Sequence, residues 1–142
     1  MVNVLIVDDS RIARKLMEYE LKAMPEYKIL TFIEDAENAK PICMSTKADL
    51  ILMDVCTARD SSGLKAAEDI KKICPNIKII ITTSMPEYTF ITKAKAAGCE
   101  SFWYKDYGCI SLSEVIERTM KGERVYPDKT PDVDIYGVPI SK

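Results

Sequence analysis

With 142 residues, 47% of them hydrophobic and 30% charged, the chain has the size and balance of one globular domain with a short tail. No apolar run approaches the ~20 residues of a membrane span, and Asp8, Asp9, Glu18 and Glu20 are wrong for a signal peptide. A net charge of −2 excludes direct binding of DNA, RNA or anionic lipid by this module, and the absence of histidine removes His-based acid/base catalysis, His-activated nucleophiles and imidazole metal sites.

Val2–Val7 is a short β-branched run ending at Asp8-Asp9, too apolar for an edge, and reads as a buried central strand. Ser10 then caps a helix carrying Ile12, Ala13, Leu16, Met17 and Leu21 at helical spacing and closed by Pro25. Lys28–Ile33 is a second strand, and Asp35–Ser45 a weaker helix in which Pro41 predicts a kink or early stop. Asp49–Asp54 is a third, buried strand. A polar loop, Thr57–Ser62, leads to Gly63, which precedes a helix over Leu64–Cys74 that Pro75 terminates. Ile77–Thr83 is a fourth strand, and Ser84 with Glu87 predicts a capping box for a helix ending at Gly98. Ser101–Lys105 is a fifth strand. Ser111 with Glu114 predicts a second capping box, and Leu112, Val115, Ile116 and Thr119 form the buried stripe of a helix stopped by Gly122. Five strands alternating with helices predict an α/β fold, a five-stranded parallel sheet doubly wound by helices on both faces. The pattern stops at residue 122. Residues 123–142, punctuated by Pro127, Pro131, Gly137 and Pro139, read as a polar tail or linker. Cys43, Cys56, Cys74, Cys99 and Cys109 are odd in number and lack a C-x-x-C pair. Reduced thiols, mostly small apolar fillers, and a cytoplasmic location follow from that spacing.

Sites in an open parallel sheet form at the carboxyl ends of the strands, where strand order reverses. Asp8 and Asp9 close the first strand, Asp54 the third, Thr83 the fourth and Lys105 the fifth, each expected to be partly desolvated after an apolar run. Any one of them is an ordinary cap or turn residue; the joint pattern carries the information. Two carboxylates at 4 Å repel by about 4 kcal/mol at an effective dielectric near 20, and one lysine cannot cancel three. Mg²⁺ can, since it favours one or two carboxylates, waters and phosphate oxygens. The set suits an aspartate that attacks phosphorus while metal, lysine and hydroxyl hold the phosphoryl oxygens.

On these residues the chain resembles the receiver domain of two-component response regulators, over about residues 1–122, which implies a flavodoxin-like receiver fold. The resemblance makes Asp8-Asp9 the acidic pair, Asp54 the phosphoacceptor, Thr83 the switch hydroxyl, Lys105 the phosphoryl-contacting lysine and Phe102 the switch aromatic. It implies Mg²⁺ held by Asp8, Asp9, Asp54 and the Cys56 backbone carbonyl, with Cys56 and Met85 flanking the path of the water that hydrolyses the phosphoryl group. Phosphorylated Asp54 would draw Thr83 inward, and Phe102 would rotate into the vacated space. The implied partners are a sensor histidine kinase and, after phosphorylation, a second copy of the chain; the module is a switch rather than an enzyme beyond self-phosphorylation and self-dephosphorylation. Thr57 and Ala58 stand where the family usually has Met-Pro, and Gly63 comes one residue late, so the loop is longer and lacks its stiffening proline. Lys105-Asp106 replaces the common Lys-Pro, so no cis bond is expected. Lys105-Asp106 and Gly122–Pro127 resemble the subgroup that joins a receiver to a helix-turn-helix DNA-binding domain regulating transcription, so the tail is expected to lead to such a domain. The alternatives are a stand-alone or degenerate receiver acting as an interaction scaffold and, less favoured, an aspartyl-nucleophile phosphatase, which would want Asp-x-Asp and a cap domain. A flavin site lacks its Ser/Thr/Gly-rich phosphate loop after the first strand.

Overall fold

The computed structural model describes residues 1–105 and 110–127. Among them the chain runs β1 (Val2–Val7), α1 (Arg11–Lys22), β2 (Tyr27–Ile33), a 3₁₀ turn (Ala36–Asn38), α2 (Ala39–Ser45), β3 (Leu50–Asp54), a 3₁₀ turn (Ala58–Asp60), α3 (Gly63–Ile73), β4 (Lys78–Thr83), α4 (Tyr88–Ala97), β5 (Ser101–Tyr104) and α5 (Leu112–Met120). All strand pairs are parallel, in the order β2-β1-β3-β4-β5. Successive residues of a strand face opposite sides of the sheet, so each apolar run feeds two cores. Leu5, Val7, Ile51, Met53, Ile79, Ile81 and Phe102 pack on one side with residues of α2, α3 and α4. Val4, Ile6, Leu50, Leu52 and Ile80 pack on the other with Met17 and Leu21 of α1 and Leu112, Val115 and Ile116 of α5. The order reverses between β1 and β3, which puts Asp8, Asp9 and Asp54 at the switch point. No helix among the described residues is long and apolar enough to cross a membrane.

Ser10 and Ser111 cap α1 and α5 through their side chains as the sequence predicts. Four local expectations change. Pro41 neither kinks nor stops α2: it falls in the first turn, where its missing N–H has no intrahelical partner to lose, and the break lies at the 3₁₀ turn before it. Ser84 does not cap α4. The helix starts at Tyr88 behind Glu87, because Pro86 biases Met85 away from helical backbone and nucleation moves past the proline. Gly63 is the first residue of α3 rather than a residue before it, and a Cβ there would lie 1.7 Å from the Asp54 carbonyl oxygen, so only glycine lets α3 start against the end of β3. On α1 the buried face is Ala13, Met17 and Leu21, while Ile12 and Leu16, about 100° away around the helix, are exposed.

The start of the tail also differs from a polar segment that packs nothing. Val125 is buried, its carbonyl accepts the Phe102 N–H at 2.9 Å and its N–H donates to Ser101 Oγ at 3.0 Å. Tyr126 donates its hydroxyl to the Cys99 carbonyl at 2.6 Å and lies 6.4 Å from the Phe102 ring. One valine and one tyrosine in the polar run suffice to cover the open edge of β5. Asp106, Cys109 and residues 128–142 lie outside the described residues. Of the other cysteines, Cys43 and Cys99 are buried fillers and Cys74 is half-buried, all three free thiols, and Cys56 is exposed. Burial pushes the Cys43 thiol up to about 11 and the Cys99 thiol up to about 12, so neither is a nucleophile near neutrality.

Candidate functional site

Each strand that feeds the site ends in the residue that serves it, because the apolar run stops where the sheet meets solvent. Asp8 follows β1 and is fully buried; its Oδ1 accepts the Ser10 N–H at 2.8 Å, so the residue that enters α1 also orients the carboxylate. Its Oδ2 accepts from Lys105 Nζ at 2.6 Å. Asp54 is the last residue of β3, and its Oδ1 accepts the Val55 N–H at 2.9 Å and lies 3.4 Å from Lys105 Nζ. Asp9, one residue further along the turn and at the rim of the sheet, is exposed rather than partly desolvated as expected. The three carboxylates still converge: oxygens of Asp8, Asp9 and Asp54 all lie within 4.8 Å of one another.

Desolvation dominates the electrostatics. Burial, reinforced by the charge of Asp8 and opposed by Lys105, pushes the Asp54 carboxyl up to about 7. A buried carboxylate held this far from its ordinary range, with a cation beside it and two more carboxylates within reach, marks a chemical centre rather than a cap.

Thr83 ends β4 almost fully buried. Its Oγ1 accepts the Met85 N–H at 3.1 Å, and its carbonyl accepts the Lys105 N–H at 2.9 Å, which ties the ends of β4 and β5 together. Cys56 and Met85 meet at the mouth of the site, Sγ to Sδ 3.9 Å apart, and both are exposed enough for water to reach. Phe102 is turned inward and buried, edge-on to Tyr104 with centroids 5.2 Å apart.

The β3–α3 loop is the part of the site that sequence reasoning did not resolve. Thr57, seen there only as a departure from Met-Pro, is buried. Its hydroxyl donates to the Ser61 carbonyl at 3.0 Å and accepts the Ala36 N–H at 2.9 Å. Asp35 holds Arg59 at 3.1 Å and the Glu37 N–H at 3.0 Å; hydrogen bonds from Ser61, Glu37 and Arg59 keep its carboxyl below its ordinary range. No local motif announces the contacts of Thr57 with Ala36 and of Asp35 with Arg59, whose partners lie 21 and 24 residues away.

Residues 4–117 match the family model described as "Response regulator receiver domain". The chain belongs to that family. The receiver is 29% identical over 125 residues to the "Uncharacterized transcriptional regulatory protein YxjL" of Bacillus subtilis (strain 168), covering 88% of this chain and 57% of that protein. A solved two-component response regulator of the LuxR family from Aurantimonas sp. SI85-9A1 superposes with a TM-score of 0.81 at 25% identity, covering 88% of this chain and 89% of that one. A structure of two RcsB dimers bound to two parallel DNAs shares the fold alone, with a TM-score of 0.80 at 19% identity over 89% of this chain and 64% of that one. The receiver spans 57% and 59% of the lengths of the first two curated relatives it matches.

Receivers bind Mg²⁺ through an acidic pocket, and in this chain that pocket is Asp8, Asp9 and Asp54. The donor set fits the ion: hard carboxylate oxygens only, more negative charge than Lys105 alone offsets, and an Asp54 carboxylate whose ionisation a neighbouring cation would favour.

Proposed function

We propose that Asp54 is the phosphoacceptor of a two-component switch and takes its phosphoryl group from a sensor histidine kinase. One observation carries this reading. The buried Asp54 carboxylate sits at the end of a strand with oxygens of Asp8 and Asp9 within 4.8 Å and an ammonium group 3.4 Å away. An oxygen of Asp54 attacks phosphorus, the bond from phosphorus to the donor breaks, and an acyl phosphate remains on Asp54. Lys105 and the Thr83 hydroxyl would contact the phosphoryl oxygens, and turning towards them would take the Thr83 hydroxyl off the Met85 N–H. Mg²⁺, held by Asp8, Asp9, Asp54 and the Cys56 carbonyl, would supply charge neutralisation on the transferred group. Phe102, packed inward beside Tyr104 and Tyr126, would respond to the Thr83 movement. Neither thioether nor thiol orients water well, so Cys56 and Met85 across the mouth of the site favour a long-lived phosphoryl group.

Incubation with acetyl phosphate and Mg²⁺, followed by intact mass, tests the reading. A phosphoryl adduct lasting minutes that Asp54→Asn abolishes supports it. Persistent full labelling of Asp54→Asn overturns it, and continuous phosphate release without an adduct favours the phosphatase alternative. For the whole protein we infer a cytoplasmic regulator in which residues 123–142 lead to a DNA-binding domain and phosphorylation favours a receiver dimer. Sedimentation with and without beryllofluoride tests the dimer, and a monomer in both at high micromolar concentration overturns it.

A further inference from the structure

The Cys56 carbonyl is the one proposed metal ligand that no side chain supplies, so the backbone alone must aim it. Two hydrogen bonds flank Cys56 and Ser62, which face each other as an antiparallel bridge: Thr57 N–H to the Ser61 carbonyl at 3.0 Å and Gly63 N–H to the Val55 carbonyl at 2.7 Å. In this non-hydrogen-bonded pairing the backbone groups of Cys56 point away from the Ser62 side. The direction of its carbonyl is therefore set by the residues on either side of it, Val55 and Thr57.

Val55 is held by its place after β3. Thr57 is held by its own hydroxyl, which spends its single proton on the Ser61 carbonyl and a lone pair on the buried Ala36 N–H. A further bond, Ala58 N–H to the Glu34 carbonyl at 3.0 Å, joins the same two loops one residue on. The β3–α3 loop is thus fastened to the loop before α2, and a hydroxyl does through space what a proline would do within the chain.

We propose that Thr57 is a positioning residue for the divalent cation, its hydroxyl aiming the Cys56 carbonyl by clasping the β3–α3 loop to Ala36. This rests on the reading of the acidic pocket as a Mg²⁺ site. Outer-shell contacts of this kind are worth about tenfold or more in metal affinity. Thr57→Val keeps the branched shape, removes both hydroxyl bonds and orphans the Ala36 N–H; Thr57→Ser keeps them.

The test is a Mg²⁺ titration of the full chain read by the fluorescence of Trp103, which shares a cavity with Lys105, with each variant first shown to be folded by circular dichroism. Thr57→Val should weaken the Kd about tenfold, Thr57→Ser should stay within about twofold of wild type, and the acetyl phosphate labelling rate of Thr57→Val should recover at saturating Mg²⁺. Recovery at saturation marks a defect in holding the ion and separates positioning from a general loosening of the site. Should Thr57→Val fail to fold, Thr57→Ala removes the same hydroxyl with less bulk and carries the same expectation. A hydroxyl-free variant that titrates like wild type, or Thr57→Ser weakened as much as Thr57→Val, overturns the proposal. A wild-type protein that does not titrate at all, while Asp9→Ala behaves identically, overturns the Mg²⁺ reading instead.

Discussion

Replacing Asp54 by asparagine should stabilise the metal-free protein, and the gain should depend on pH. Burial raises the Asp54 carboxyl from 3.8 to about 7, so between those values the folded chain holds a proton that the unfolded chain has released. The native state binds more protons, so stability falls as pH rises through this window and levels off above it. The full shift corresponds to about 4 kcal/mol, a ceiling that water penetration into a site open at one end reduces. Urea unfolding in EDTA at about pH 5 and about pH 8 isolates the effect, because every other titrating group is common to both proteins. Asp54→Asn should gain about 2 kcal/mol more, relative to wild type, at the higher pH than at the lower. Saturating Mg²⁺ should shrink that difference, since the ion offsets the cost of ionising Asp54 in place. A stability difference equal at both pH values to within about 0.5 kcal/mol would refute the argument that desolvation governs this carboxylate.

Four further outcomes are expected. Mg²⁺ at about a hundredfold excess over its Kd should stabilise wild type by about 2.7 kcal/mol in thermal melts, and Asp9→Ala should lose that gain. Lys105→Met should cost about 3 kcal/mol in EDTA by leaving the fully buried Asp8 unpaired, and Mg²⁺ should restore part of it, as urea titrations with and without the ion would show. Lys71→Met should cost a similar amount, about 3 kcal/mol in urea unfolding, because Lys71 Nζ binds Glu100 and the Pro75 and Ile77 carbonyls in a largely buried knot beneath β4. Cys56→Asn should shorten the lifetime of the phosphoryl adduct by placing a water-orienting amide at the mouth of the site; an unchanged half-life by intact mass would mean that water order there is set elsewhere.

The amino-acid sequence by itself determined the five strands, the doubly wound sheet and the identity of Asp8, Asp9, Asp54, Thr83 and Lys105 as neighbours. Apolar runs of strand length, each ending abruptly in a polar residue, leave a parallel sheet little freedom, and its carboxyl edge then collects those residues whatever the loops do. It also announced the local caps at Ser10 and Ser111, whose partners lie three residues away. Tertiary structure alone decided the rest. Ile12 and Leu16 satisfy the helical period yet stay exposed, since the core takes only the Ala13, Met17 and Leu21 face of α1. Val125 and Tyr126 look like tail until β5 offers them an edge. Thr57 reads only as a departure from the family's Met-Pro until Ala36, twenty-one residues earlier, is brought against its hydroxyl. Periodicity and capping are written within a few residues of chain, whereas burial of a given face and the partner of a buried hydroxyl depend on groups that only the folded sheet assembles.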